Sequence, residues 1–166
     1  MPAASPPQPP DVVAAHGPRV YAMCARLAAD PEDCYQEIWE KVLGALDRFD
    51  PAGTASIATW IATIARRHLI DRHRRRQVRG VVVPLTGLAS AEPAPEEALS
   101  RRQREIRVET ALQALPDAHR RVVVLHHIHG VPLEQLAADE GVPLGTIKSR
   151  LHRGRARLAD LLGEDR

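Results

Sequence analysis

Aromatic side chains are scarce in this chain: two Trp, two Tyr and one Phe, 3% of 166 residues. Sheet cores lean on aromatic and β-branched pairs, whereas a composition rich in Ala, Leu, Val and Arg packs as helices through small and aliphatic side chains. The expectation is an all-α protein, and a hydrophobic fraction of 44% is enough to build its cores. Cysteine is equally sparse. Cys24 and Cys34 are too few for a disulfide framework or a zinc site and read as reduced thiols. No apolar run approaches the ~20 residues of a membrane span. The opening MPAASPPQPP lacks both the basic start and the apolar stretch of an export signal, so a cytoplasmic chain without membrane insertion is expected. A phosphate-binding glycine loop and a nucleophile elbow are also missing, and the chain reads as a non-enzyme without a cofactor.

What is present is charge, sorted by sign. The net charge is only +2. Residues 30–50 nevertheless hold Asp30, Glu32, Asp33, Glu37, Glu40, Asp47 and Asp50 against Lys41 and Arg48, while residues 66–79 hold seven arginines against Asp71. Separated surfaces of opposite sign matter more for binding than their sum.

Punctuation divides the chain into two small helical domains joined by a flexible linker. Residues 1–10 are proline-rich and read as a disordered tail; residues 11–77 form a helical domain, 78–104 a linker broken by Pro84, Gly87, Pro93 and Pro95, and 105–163 a second helical domain. In the first, Gly17-Pro18 interrupts or precedes one helix. Asp30-Pro31 starts another that runs to about Asp47, with Ile38, Val42, Ala45, Leu46 and Phe49 as its buried stripe and Asp33, Gln36, Glu37 and Glu40 on or beside the opposite face. Trp39 reads as an exposed aromatic beside that face. A third helix starts near Ser56 and carries Ile57, Trp60, Ile61 and Ile64 into the arginine run, which puts Trp60 on an apolar stripe.

Residues 132–158 have the parts of a helix-turn-helix. Leu133, Leu136 and small Ala137 form a short helix, Gly141 suits a left-handed turn, and Ile147 and Leu151 face inward from a second helix. That second helix, GTIKSRLHRGRARL, then presents Thr146, Lys148, Ser149, Arg150 and Arg153 at or beside its outer face, where Arg and Lys reach guanine edges in the major groove. His126, His127 and His129 invite a metal reading, but the first two diverge by about 100° on one helix, and no acidic or Cys partner lies one turn away. No metal site is expected.

Two longer segments then carry a resemblance. DPEDCYQEIWEKVLGALDRFDP followed by TWIATIARRHLIDRHRRR is similar to region 2 of the extracytoplasmic-function group of bacterial sigma factors, and ALQALPDAHRRVVVLHHIHGVPLEQLAADEGVPLGTIKSRLHRGRARL resembles their region 4, in the family's order. The resemblance implies a sigma factor that binds core RNA polymerase through the coiled coil of its largest subunit and through its flap, with promoter DNA and an anti-sigma factor as further partners. It implies that Asp33, Gln36 and Glu37, with Trp39 and Glu40 beside them, dock on the polymerase. It places Trp60, Arg66, Arg67, Asp71, Arg72, Arg74, Arg75 and Arg76 near the melted strand of a downstream (−10-type) element, and gives the upstream (−35-type) element to the helix-turn-helix. Two positions depart from the family's pattern: Ile57 stands where many members have Phe, and Arg67 where they have Asn. Arg offers donors only, so base preference there should change or phosphate should be bound. Two other functions fit parts of the sequence, a stand-alone helix-turn-helix repressor and an adaptor that sequesters an anti-sigma factor. Neither uses both the acidic face and the basic recognition helix.

Overall fold

The computed structural model describes residues 8–79 and 96–163, and the chain divides into two compact units, Met1–Val83 and Pro84–Arg166. In the first unit α1 (Pro9–Leu27), α2 (Pro31–Gly44) and α3 (Ile57–Arg79) pack on one another. Their common core is Val20, Met23 and Cys24 from α1, Cys34, Ile38, Trp39 and Val42 from α2, and Ile61, Ala65 and Leu69 from α3. Cys24 and Cys34 are free thiols buried in that core.

Most of the expected tail lies outside the described residues, but Pro9 and Pro10 open α1, because a missing N–H costs nothing in a first turn. Gly17-Pro18 does not interrupt this helix. Pro18 is exposed within it, and Gly17 is buried because a Cβ there would lie 2.8 Å from the Tyr35 hydroxyl. The glycine thus admits the Tyr35 ring of α2, and helix packing outweighs the usual proline penalty. Tyr21, Tyr35 and Trp39 continue as edge-on neighbours, with centroids 5.7 and 6.1 Å apart. Trp39, expected to be exposed, is only 5% exposed. Its position next to Ile38 leaves it on the flank of the core, where Tyr35 packs against it.

α2 stops at Gly44, and a short 3-10 turn, Leu46–Arg48, replaces the expected continuation. Asp50 then organises the connection, accepting from the Ala52 and Gly53 amides through its side chain and carbonyl at 2.9 and 3.1 Å. Ser56 caps α3 by accepting from the Thr59 amide at 3.2 Å.

In the second unit α4 (Glu96–Gln113) begins inside the segment expected to be linker. Residues 80–95 lie outside the described residues; beyond Pro95 the sequence holds no breaker before Gln113. α5 (Asp117–Val123) runs into a π-helical turn (Val124–Ile128), followed by α6 (Leu133–Glu140) and α7 (Leu144–Leu162). Arg120 ties the end of α4 to α5: it is buried, donates to the Gln113 carbonyl at 3.0 Å and pairs with Asp117. That bond satisfies a helix-end carbonyl that would otherwise be orphaned.

The turn between α6 and α7 rests on Gly141, at φ +66°. The Val142 amide reaches the Ala137 carbonyl at 3.1 Å and the Gly141 amide reaches Ala138 at 3.3 Å, the Schellman pattern that lets a helix reverse within three residues. α7 lies closely on α5 at Gly154, where a Cβ would stand 2.7 Å from a Val123 methyl. Gly154→Leu should therefore cost about 1–3 kcal/mol by overpacking. Thermal melting would check this, and an unchanged midpoint would contradict the close approach.

Candidate nucleic-acid interface

The inner face of α7 is apolar at every turn: Ile147, Leu151 and Gly154 are buried against the unit. Helical periodicity then forces Lys148, Ser149, His152 and Arg153 outward, and all four are exposed. Thr146 is half-buried, and its amide is spent on the Pro143 carbonyl at 2.9 Å. The exposed set lies on the first turns of a helix that follows a short, tightly turned partner, the geometry with which a recognition helix enters a major groove.

Arg150 does not belong to that outer set. Its guanidinium donates to Glu140 Oε2 at 2.6 Å, and the other oxygen of Glu140 accepts from Arg121 Nε at 2.7 Å. Glu140 is 6% and Arg121 7% exposed, so one buried carboxylate links α5, α6 and α7 through two arginines. The expected DNA contact Arg150 is thus paired within the unit: i+3 from Ile147, it falls on the boundary of the buried face, its side chain 26% exposed, where a carboxylate on the preceding helix holds it. Sequence reasoning also missed His152. It stands one turn after Lys148, and that spacing was the available signal.

His126 and His127 occupy the π turn, which brings their rings to 4.9 Å instead of splaying them as an α-helix would. His126 Nδ1 lies 2.9 Å from the Val131 carbonyl, a bond that closes the loop into α6. Burial, followed by the nearby His126 and Arg155 charges, holds the His127 imidazole below its usual range.

In the first unit the cationic helix α3 divides in two. Arg67, Asp71, Arg74 and Arg75 are exposed and Arg76 half-buried. Arg66, expected on the same cationic track, is 8% exposed and turned into the unit, because it follows Ile61 and Ala65 on the buried side of α3. Trp60 is half-buried, its ring tilted 51° against Phe49 at 5.5 Å. Arg72, another member of the expected track, turns back toward α2. It reaches Glu37 Oε1 at 2.7 Å and Asp30 Oδ2 at 3.5 Å.

The second oxygen of Glu37 lies 2.8 Å from His68 Nε2, and Lys41 Nζ donates to His68 Nδ1 at 2.8 Å. An ammonium can only donate, so Nδ1 is the acceptor of that bond. The Arg72 guanidinium holds the Glu37 carboxyl below the usual carboxylate range, with His68 adding to it and partial burial opposing both. Asp33, Gln36 and Glu40 stay exposed on the neighbouring strip of α2. The acidic motif is therefore split: three residues face outward and one is held by α3.

Residues 12–79 match the family model for Sigma-70 region 2, and residues 105–158 match the model for Sigma-70, region 4. The chain is 34% identical over 132 residues to the ECF RNA polymerase sigma factor RpoE of Cereibacter sphaeroides, covering 80% of this chain and 72% of that protein. It is 33% identical over 158 residues to the RNA polymerase sigma factor CarQ of Myxococcus xanthus, covering 93% and 88%. Against the ECF RNA polymerase sigma factor SigE of Mycolicibacterium smegmatis, identity is 32% and the chain spans 61% of the relative's length. The solved structure of RpoE from Bartonella quintana, in complex with the anti-sigma factor NepR, superposes with a TM-score of 0.63 at 27% identity, covering 93% of this chain and 96% of that one.

Proposed function

The chain belongs to the ECF sigma factors of RNA polymerase, and from that premise we propose that it is a dissociable, non-catalytic cytoplasmic subunit that binds core RNA polymerase and directs promoter-specific initiation. The observation that carries this reading is the coexistence of two unlike surfaces: the outward Lys148, Ser149, His152 and Arg153 of α7, and the outward Asp33, Gln36 and Glu40 of α2. The basic face reads an upstream promoter element. The acidic face docks on the coiled coil of the largest polymerase subunit, and the exposed arginines of α3 hold the downstream strand as it melts. Separated bases need a cationic track, and unstacking them costs a few kcal/mol that such contacts offset.

The second unit also has a groove of about 740 Å³ in which Val108, Leu112 and Ile128 meet His127, His152 and Arg155. An apolar floor rimmed by the Arg155 guanidinium and two imidazoles suits a short amphipathic segment of the polymerase flap or of an anti-sigma factor. The relative solved with NepR, and the sigma factor CnrH solved with the cytosolic domain of CnrY, support an anti-sigma partner for this chain.

Run-off transcription with purified core polymerase and fragments of the native genome tests the proposal. Discrete transcripts dependent on the protein are expected. Their absence, together with tight palindrome-specific binding by the protein alone, would establish a repressor instead. The free protein should bind promoter DNA weakly and lose affinity steeply with salt, because each small basic surface makes only a few phosphate contacts. Polymerase should tighten binding by fixing the spacing of the two units. Fluorescence anisotropy across a salt series with and without polymerase would measure both effects, and salt-independent binding would refute the first.

A further inference from the structure

We propose that Cys34 is a hydroperoxide-reactive thiol with Cys24 as its resolving partner, and that the disulfide they form switches off polymerase docking. The second half rests on the reading above, in which α2 docks. Three residues, Ala28, Ala29 and Asp30, join α1 to α2. The Cys24 carbonyl accepts from the Ala28 amide at 2.7 Å and the Cys34 amide donates to the Asp30 carbonyl at 3.1 Å, so each cysteine stands one turn from that connection. In a tight helical hairpin, residues equally far from the turn face each other. The two side chains meet accordingly, hydrogen-bonded to one another in the core, with both residues 0% exposed.

Their surroundings make the pair unequal. The hydrogen bond from Cys24 pulls the Cys34 thiol below its usual range against the effect of burial, and His68 and Arg72 of α3 add to the pull. Cys24, the donor of that bond and buried beside it, is pushed up. Glu37 and Lys41, the other partners of His68, lie one bond further out. The thiolate is the nucleophile, so Cys34 reacts first and Cys24 resolves.

The Cys34 thiolate attacks one oxygen of hydrogen peroxide and the O–O bond breaks; the departing hydroxide takes up a proton as water, and Cys34 is left as a sulfenic acid. The Cys24 sulfur then displaces hydroxide from Cys34, and that hydroxide leaves with the Cys24 proton as a second water. Two thiols lose two electrons and one peroxide gains them. Burial selects the oxidant: hydrogen peroxide is uncharged and close to water in size, and local opening at the helix ends suffices to admit it. A bulky disulfide finds no exposed sulfur. The new bond brings the sulfurs to about 2.05 Å, closer than thiols in contact, and a close-packed interior transmits that shift. It also removes the thiolate charge from beside His68 and Arg72. Asp33 and Gln36 flank Cys34 on the first turns of α2, so the outward strip moves with it.

The test uses the full chain. Hydrogen peroxide, quenched with catalase, should join tryptic peptides 20–26 and 27–41 through one bond with the loss of two hydrogens, and dithiothreitol should release them. Oxidised glutathione at the same concentration should leave both thiols free. In Cys24→Ala a dimedone probe should capture Cys34 as the sulfenic acid, while in Cys34→Ala the remaining Cys24 should stay unmodified. Circular dichroism checks that both variants fold, and the linked peptides of the parent chain need no variant. The oxidised parent should lose most of its association with core polymerase and regain it with dithiothreitol, whereas Cys34→Ala should associate equally before and after peroxide.

Free thiols in the peroxide-treated parent, linkage by oxidised glutathione as readily as by peroxide, or sulfenylation of Cys24 as fast as that of Cys34 would overturn the site. A linked chain that associates as the reduced one does would overturn the switch. A reduced parent that does not bind polymerase would remove the functional reading and the switch with it, while the linked peptides would still establish the thiol site.

Discussion

Glu140→Ala is expected to unfold most of the second unit while leaving α1, α2 and α3 intact. The substitution strands Arg121, a guanidinium 7% exposed whose Nε donates to Glu140 at 2.7 Å, and cuts the 2.6 Å bond that holds Arg150. Removing one partner of a buried ion pair leaves an uncompensated charge and costs about 3–5 kcal/mol. A unit of this size has only ~0.05–0.15 kcal/mol of stability per residue, so the loss consumes much of what it has. Arg150→Ala should be far milder, because Glu140 keeps Arg121. A Glu140→Leu, Arg121→Met pair should recover most of the stability, since apolar replacement of both partners removes the stranded charge. Circular dichroism melting with amide exchange over residues 117–162 would resolve the units separately. If Glu140→Ala melted with the parent protein, or if Arg150→Ala were the more damaging change, the buried carboxylate would not be the strut described above.

That strut marks where the sequence stops being legible. The helix-turn-helix could be read from it because its signals are local: Gly141 for a left-handed turn, Ala137 for a close crossing, and Ile147 and Leu151 one turn apart. The family could be read because two long segments recur in order. Glu140 gave no such signal, since a glutamate before a glycine looks like any solvated helix end, and only the fold brings Arg121 to it from 19 residues away. The same reason separates Glu37 from Gln36. Adjacent in sequence, they differ in fate because one faces α3 and the other does not. Runs of arginine were read as one surface, yet a helix buries one side in every turn, and Arg66 and Arg72 fall on or beside it.

Trp39 and Gly17-Pro18 show the converse problem, in which a residue's usual behaviour is overridden by its neighbours. All five aromatic residues lie between positions 21 and 60, so the first unit concentrates a resource the chain otherwise lacks. Tyr21, Tyr35 and Trp39 meet across α1 and α2, and Phe49 meets Trp60. Covering Trp39 with Tyr35 requires Gly17, and keeping α1 continuous beneath Tyr35 requires the helix to tolerate Pro18. Read alone, each residue of that dipeptide argues for a break.

Lys148→Ala combined with Arg153→Ala is expected to abolish promoter selectivity at the upstream element without unfolding the protein. Both side chains are exposed on α7 and neither contributes to the inner face of Ile147, Leu151 and Gly154, so melting should be unchanged. A base-directed arginine or lysine contributes about 1–3 kcal/mol at its base pair, so losing two should reduce closed-complex formation by well over tenfold. Arg67→Ala should act on a different step. Arg67 is exposed on α3 where the family pattern has Asn, and we propose that the donor-only side chain there acts on the downstream strand once it is separated. Closed complexes should then form at the parent level while opening slows, and a pre-melted template should restore much of the rate. Permanganate footprinting beside filter binding, on one promoter in duplex and pre-melted form, would measure the two steps together. Should the double variant bind the upstream element normally, the outward face of α7 would not be the reading surface. Should Arg67→Ala weaken closed complexes as strongly as it slows opening, the two units would not divide the promoter between them, since a contact made only with separated strands has nothing to contribute before they part.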